Sequence, residues 1–134
     1  MGENINGRLC LSPDGKLLAY PYQEFGAKEG LKLAVISVSG GPVIKSFRVS
    51  GRAARGNGWG VRLRWSPDGK SLDYLLTQNS VTDIWEQPLT GEEPRQVTKF
   101  NSGEILDFDW SPDHKLLITR GSVASDVVFI SNYR

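Results

Sequence analysis

The chain has 134 residues, 39% hydrophobic and 23% charged, which suits one ordinary globular domain. Its 16 Lys and Arg against 15 Asp and Glu leave a net charge of +1, so the excess of basic residues that nucleic acid or an anionic membrane surface demands is missing. The single cysteine, Cys10, excludes an intrachain disulfide and a multi-cysteine metal site, and its apolar setting in RLCL reads as a buried, inert thiol.

No apolar run approaches the ~18–20 residues of a membrane span, and MGENINGR has neither the charged start nor the apolar core of a signal peptide. As written, the chain is expected in the cytoplasm and off the membrane. In chain order, RLCL is a short strand, followed by the turn Ser12, Pro13, Asp14, Gly15 and then by strands LLAYPY and LAVISV. The turn SGGP leads to a fourth strand, VIKSFRV. The series restarts with VRLRW, the turn Ser66, Pro67, Asp68, Gly69, the strands SLDYLL and DIWEQPL, the turn TGEEP, and RQVTKF. A third series runs ILDFDW, the turn Ser111, Pro112, Asp113, His114, then LLITR and DVVFIS, and stops one strand short.

The repeated SPDG suits a type I turn: serine first, proline with preset φ second, aspartate third, and glycine leaving without steric penalty. The turn serines lie 54 and 45 residues apart, and the extra length reads as a loop insertion in the first copy. Each full copy is a four-stranded antiparallel meander of the length of a propeller blade. The expected fold is therefore all-β, a partial β-propeller over 1–134 with blades at about 5–50, 60–100 and 104–134.

The stretch WSPDGKSLDYLLTQNSVTDIWEQPLTGEEPRQVTKF, with EILDFDWSPDHKLLITRGSVASDVVFISNYR after it, resembles the repeats of TolB-type, WD-like bacterial β-propellers. More narrowly, it is similar to the closing blades of propellers that end bacterial signalling proteins behind a Ser/Thr kinase or a DNA-binding regulator domain. Three features depart from that pattern: His114 replaces a glycine, Leu11 replaces the tryptophan of the other copies, and no kinase or DNA-binding module is present. The resemblance implies a non-enzymatic interaction platform for a protein or peptide, without cofactor. Three blades cannot close a ring of about four to eight. A homodimer forming a six-bladed ring, the blade number of TolB, is expected, with the partner's MGENIN segment completing the third blade; the rival is a fragment of a longer protein.

The segment RVSGRAARGNGWGVRLRW gathers Arg48, Arg52, Arg55, Arg62 and Arg64 beside Trp59. Charge plus stacking there suits phosphate, carboxylate or single-stranded nucleic acid, and the plainer reading is arginines paired with nearby carboxylates. GNGWG lacks the later glycine of a phosphate loop and precedes a strand, so it reads as a connection between blades. Asp107 and Asp109 alternate with Leu106, Phe108 and Trp110; if this is the innermost strand, as the resemblance implies, the acidic side reaches the central channel, where a cation or a basic peptide end is one reading and structural polarity the other. Asp73 aligns with Ala19 and Ile118, an acid at an apolar position that needs a partner, with Arg62 or Arg64 in reach.

His114 is the only histidine, and its place in the turn marks it as a surface residue rather than a catalytic base. No G-x-S-x-G elbow occurs. Trp65, Trp85, Trp110, Tyr20, Tyr74 and Phe108 recur at equivalent positions and read as packing between blades. The expectation is a scaffold with no catalytic or metal-binding residue, binding through Arg52, Arg55, Trp59, Arg62, Arg64, Asp107 and Asp109. Two alternatives stand beside it: the sensory end of a kinase or regulator, and the gating propeller of a hydrolase whose catalytic domain is absent.

Overall fold

The computed structural model describes residues 3–5, 8–24, 31–49, 52–53, 61–121 and 127–130, with side chains over 8–23, 31–49 and 61–121. Among the described residues all regular structure is β, in three antiparallel sheets that follow one another along the chain. The first holds β1 (Glu3–Ile5), β2 (Cys10–Leu11), β3 (Leu17–Glu24), β4 (Lys32–Ser37) and β5 (Lys45–Arg48), with β1 and β2 both on the free side of β3. The second holds β6 (Arg52–Ala53), β7 (Leu63–Trp65), β8 (Ser71–Gln78), β9 (Val81–Pro88) and β10 (Arg95–Gln96), with β6 and β7 sharing the side of β8. The third is β11 (Glu104–Trp110), β12 (Leu116–Gly121) and β13 (Val127–Ile130).

Each sheet is opened by the same turn chemistry. The Ser12 hydroxyl donates to Asp14 Oδ1 at 2.6 Å and accepts the Leu17 amide at 3.0 Å; Ser66 does the same with Asp68 at 2.7 Å and Ser71 at 3.0 Å. Ser111 donates to Asp113 and accepts the Lys115 amide. The fourth turn residue is left-handed in all three, with φ of 73° at Gly15, 72° at Gly69 and 65° at His114. Glycine reaches that region freely, whereas a Cβ makes it costly.

The third turn is one residue tighter. Ser12 N bonds Leu17 O and Ser66 N bonds Ser71 O, but Ser111 N bonds Lys115 O. The pair Trp110↔Leu116 therefore stands where Trp65↔Leu72 stands in the second sheet. This corrects one equivalence: the third-blade counterpart of Asp73 is Leu117, opposite Asp109, and Ile118 instead takes the place of Tyr74.

The innermost strand is interrupted at one level in every sheet. In the first, Ile5 pairs with Tyr22 and Cys10 with Ala19; in the second, Ala53 pairs with Leu76 and Leu63 with Tyr74; in the third, the register slips between Ile105 and Asp107. Two expectations change. The Glu3–Ile5 backbone is engaged with Tyr22–Glu24 of its own chain, so it is not free to complete a partner's third blade. Gly56–Gly60 falls in sequence between β6 and β7 of one sheet, not between blades, and lies outside the described residues.

Packing joins the sheets face to face. Ala19, Leu31, Leu33, Val35 and Val49 of the first meet Val61, Leu63, Trp65, Leu72, Tyr74 and Leu76 of the second in one apolar cluster. Leu75 and Ile84 on the other face of the second sheet meet Ile105, Phe108, Leu116 and Ile118 of the third. Alternation along β8 sends side chains to both faces, so residues 71–76 are buried without exception. At roughly 1.5–3 kcal/mol per large apolar side chain, these two seams supply most of the cohesion.

His114→Gly should therefore stabilise the chain by about 1 kcal/mol by relieving the left-handed strain, and Gly69→His should destabilise it by a similar amount. Urea titration checks both, as midpoint shifts at unchanged slope.

Candidate functional site

The second pair counted from each turn places Cys10, Arg64 and Asp109 at one equivalent position of the three inner strands, opposite Ala19, Asp73 and Leu117. The row runs across the seams. The Cys10 thiol donates to Leu63 O at 2.9 Å, and the Trp65 indole N–H donates to Cys10 O at 2.9 Å. Burial pushes the Cys10 thiol up, with Arg64 pulling the other way. A thiol so held is a poor nucleophile at neutral pH.

Arg62 and Arg64 meet Asp107 and Asp109 across the second seam. Arg62 Nε lies 3.1 Å from Asp107 Oδ1, while Arg64 reaches Asp107 at 3.7 Å and Asp109 at 3.6 Å. Two groups that the sequence presents as separate binding features are thus one ion-paired cluster. The guanidinium groups supply the positive charge that a cation would bring to Asp107 and Asp109. Among the described residues, no group of three His, Cys, Asp or Glu side chains is arranged to hold a metal ion. Arg55, Trp59 and the Arg52 side chain lie outside the described residues.

Asp73 is fully buried, and its Oδ2 accepts the Trp110 indole N–H at 2.8 Å. Sequence reasoning sought a partner among the arginines and missed this tryptophan on the next blade. The available signal was the recurrence of tryptophan before the turn, because a buried indole N–H must itself find an acceptor.

A cleft of about 580 Å³ opens at the turn end of the inner strands, lined by Leu11, Arg64, Trp65, Asp109, Trp110 and His114 among others. A second, of about 360 Å³, lies beside the outer hairpin of the second sheet, where Arg95 holds Glu86 at 2.6 Å. Trp110 and His114 line both. His114 is exposed on its turn, between Asp113 and Lys115. The site thus offers indole and proline surface, a compensated Arg–Asp cluster and one exposed imidazole.

No protein-family model matches the chain. Among curated proteins it is similar to the lasso peptide isopeptidase AtxE2 of Asticcacaulis excentricus, at 26% identity over 81% of this chain and 18% of that protein. The chain thus spans less than a fifth of that relative's length. The apo structure of the AtxE2 isopeptidase superposes with a TM-score of 0.62 at 20% identity, over 90% of this chain and 21% of that one. A putative TolB from Agrobacterium tumefaciens superposes with a TM-score of 0.66 at 21% identity, over 95% and 42% of the two chains. The β-propeller domain of the Trilobed protease from Pyrococcus furiosus, described as having an open velcro topology, gives 0.64 at 18% identity, over 95% and 38%.

The fold is that of TolB-like β-propeller blades, forming a partial propeller. The expectations of a non-catalytic scaffold and of a protein that is no enzyme are overturned: the similar curated protein is an isopeptidase. The physical reason lies in the repeats. Turn, strand and inter-blade packing are the same whether or not a catalytic domain accompanies them.

Trp110→Phe should cost about 1–3 kcal/mol by removing the indole donor from a buried carboxylate oxygen. Combined with Asp73→Ala, the residue that Ala19 supplies in the first blade, the loss should fall below the sum of the single losses in a double-mutant cycle. The turn carboxylates give a pH dependence. The Ser12 hydroxyl and the Lys16 amide hold Asp14 below its ordinary range, and Ser111 and Lys115 do the same for Asp113. Because these folded-state values are depressed, their contribution is present above the ordinary aspartate range and is lost as pH falls through the lowered values. Carboxyl titration by NMR should show both ionising below an unstructured aspartate, and Ser111→Ala should raise Asp113.

Proposed function

We propose that these blades belong to the propeller of a peptide hydrolase, where they position or admit a polypeptide beside a catalytic domain. The observation that carries this reading is the 26% identity to an isopeptidase over 81% of the chain. The chain's own residues contribute recognition. The half-buried Trp110 offers apolar surface to a peptide, prolines of the turns keep the cleft wall rigid, and the Arg64–Asp109 pair can exchange partners with peptide amides or termini at little electrostatic cost. Bond cleavage falls to a nucleophile and base outside this cleft, since its one histidine sits exposed on a turn.

The test is to read the coding sequence on both sides of these 134 codons and to assay the full-length product on linear and isopeptide-bonded peptides. A hydrolase domain with activity whose KM rises several-fold in Arg64→Ala or Trp110→Leu, with kcat little changed, is expected. A kinase or DNA-binding module in that position, with no peptide cleavage, would instead place the blades at the end of a signalling protein.

A further inference from the structure

The second blade turns a row of charged side chains toward the third. Register places Arg64 opposite Asp73, Asp73 opposite Glu86, and Glu86 opposite Arg95, and residues paired across antiparallel strands share one face of the sheet. Trp110 of the third blade meets that face and donates its indole N–H to Asp73 Oδ2 at 2.8 Å. The first blade fills the corresponding row with Cys10, Ala19, Val35 and Lys45, and there Ala19 and Val35 are 0% and 1% exposed in the apolar cluster of the first seam. A seam can therefore be packed at these places without a carboxylate.

In the second seam both places hold carboxylates, Asp73 fully buried and Glu86 nearly so. Like charges on directly paired residues and the burial of charge both cost stability, even with an arginine at either end of the row. What Asp73 supplies is an acceptor in a new place. In the first seam the Trp65 indole N–H goes to the Cys10 carbonyl on the innermost strand, and Trp65 is 7% exposed. In the second seam the acceptor lies one strand further out, on β8, and Trp110 is half-buried and lines both clefts. The row opens on the same two clefts, with Arg64 lining the first and Glu86 and Arg95 lining the second.

We infer that Asp73 is a positioning residue for polypeptide recognition: its carboxylate holds the Trp110 indole on the wall shared by the two clefts, so that the ring presents a fixed surface to a bound chain. Asp73 is too buried to touch that chain and acts through Trp110. The inference rests on the hydrolase reading.

The test has two readouts. In the 134-residue chain, the Trp110 indole N–H signal, identified by its loss in Trp110→Phe, should exchange with water at least several-fold faster in Asp73→Ala, and Asp73→Asn, which keeps an acceptor oxygen, should restore its protection. In the full-length product, Asp73→Ala should raise KM for peptide cleavage several-fold with kcat little changed, and Asp73→Asn should recover most of the loss. Alanine is the side chain that the first blade carries at this place, so the fold should persist, which circular dichroism checks; Asp73→Leu, matching Leu117 of the third blade, serves as the second variant. With peptide cleavage by the wild type upholding the hydrolase reading, an indole signal or a KM indifferent to Asp73→Ala and Asp73→Leu would overturn the inference alone. So would a KM that Asp73→Asn leaves as high as Asp73→Ala does. A full-length wild type that cleaves no peptide would overturn the hydrolase reading, and this inference with it.

Discussion

A β-sheet with two apolar faces has to be sandwiched, and this requirement organises the molecule. The second sheet meets it within the chain: Leu72, Tyr74 and Leu76 face one neighbour while Asp73 and Leu75 face the other. The flanking sheets each lend it one face. Turn chemistry sets where strands begin, but the seams decide which side chains matter, because the interior of an arc of blades exists only between sheets.

Polar groups at the seams follow the same logic. A backbone carbonyl at Cys10 receives an indole N–H from one blade, and a carboxylate at Asp73 receives an indole N–H from another. Trp65 and Trp110 thus occupy equivalent places and find different acceptors. Near the axis, where water reaches the inner strands, arginine and aspartate take over and balance across the second seam. The cleft at the turn end is therefore lined by one compensated Arg–Asp pair beside indole and proline side chains.

Much of the architecture was legible in the sequence because SPDG needs specific residues at specific offsets, and strands of alternating pattern follow it. The tighter third turn was not legible. SPDHK aligns with SPDGK without a gap and differs only at His114, and only the hydrogen bond from Ser111 to Lys115 shows that the following strand is shifted by one. Asp73 could be flagged as an acid in an apolar slot, but its partner lies 37 residues away, and inter-blade packing alone brings it there. That the arginines pair with carboxylates was the plainer reading of the sequence; that Asp107 and Asp109 are those carboxylates for Arg62 and Arg64 was not legible, since sequence does not say which inner strands adjoin at which height. Function was least legible of all. The features that mark a blade are those that fold it, and they do not tell whether a catalytic domain accompanies it.

The central claim is that the middle blade is held by both neighbours. Native-state amide hydrogen exchange, read residue by residue along β3, β8 and β12, measures it directly. The account predicts that amides of residues 72–76 exchange only through global unfolding and are the slowest in the chain, and that Trp110→Phe speeds them as well as those of β12. Fast exchange at 72–76 while β3 stays protected, or three blades that open independently of one another, would contradict it.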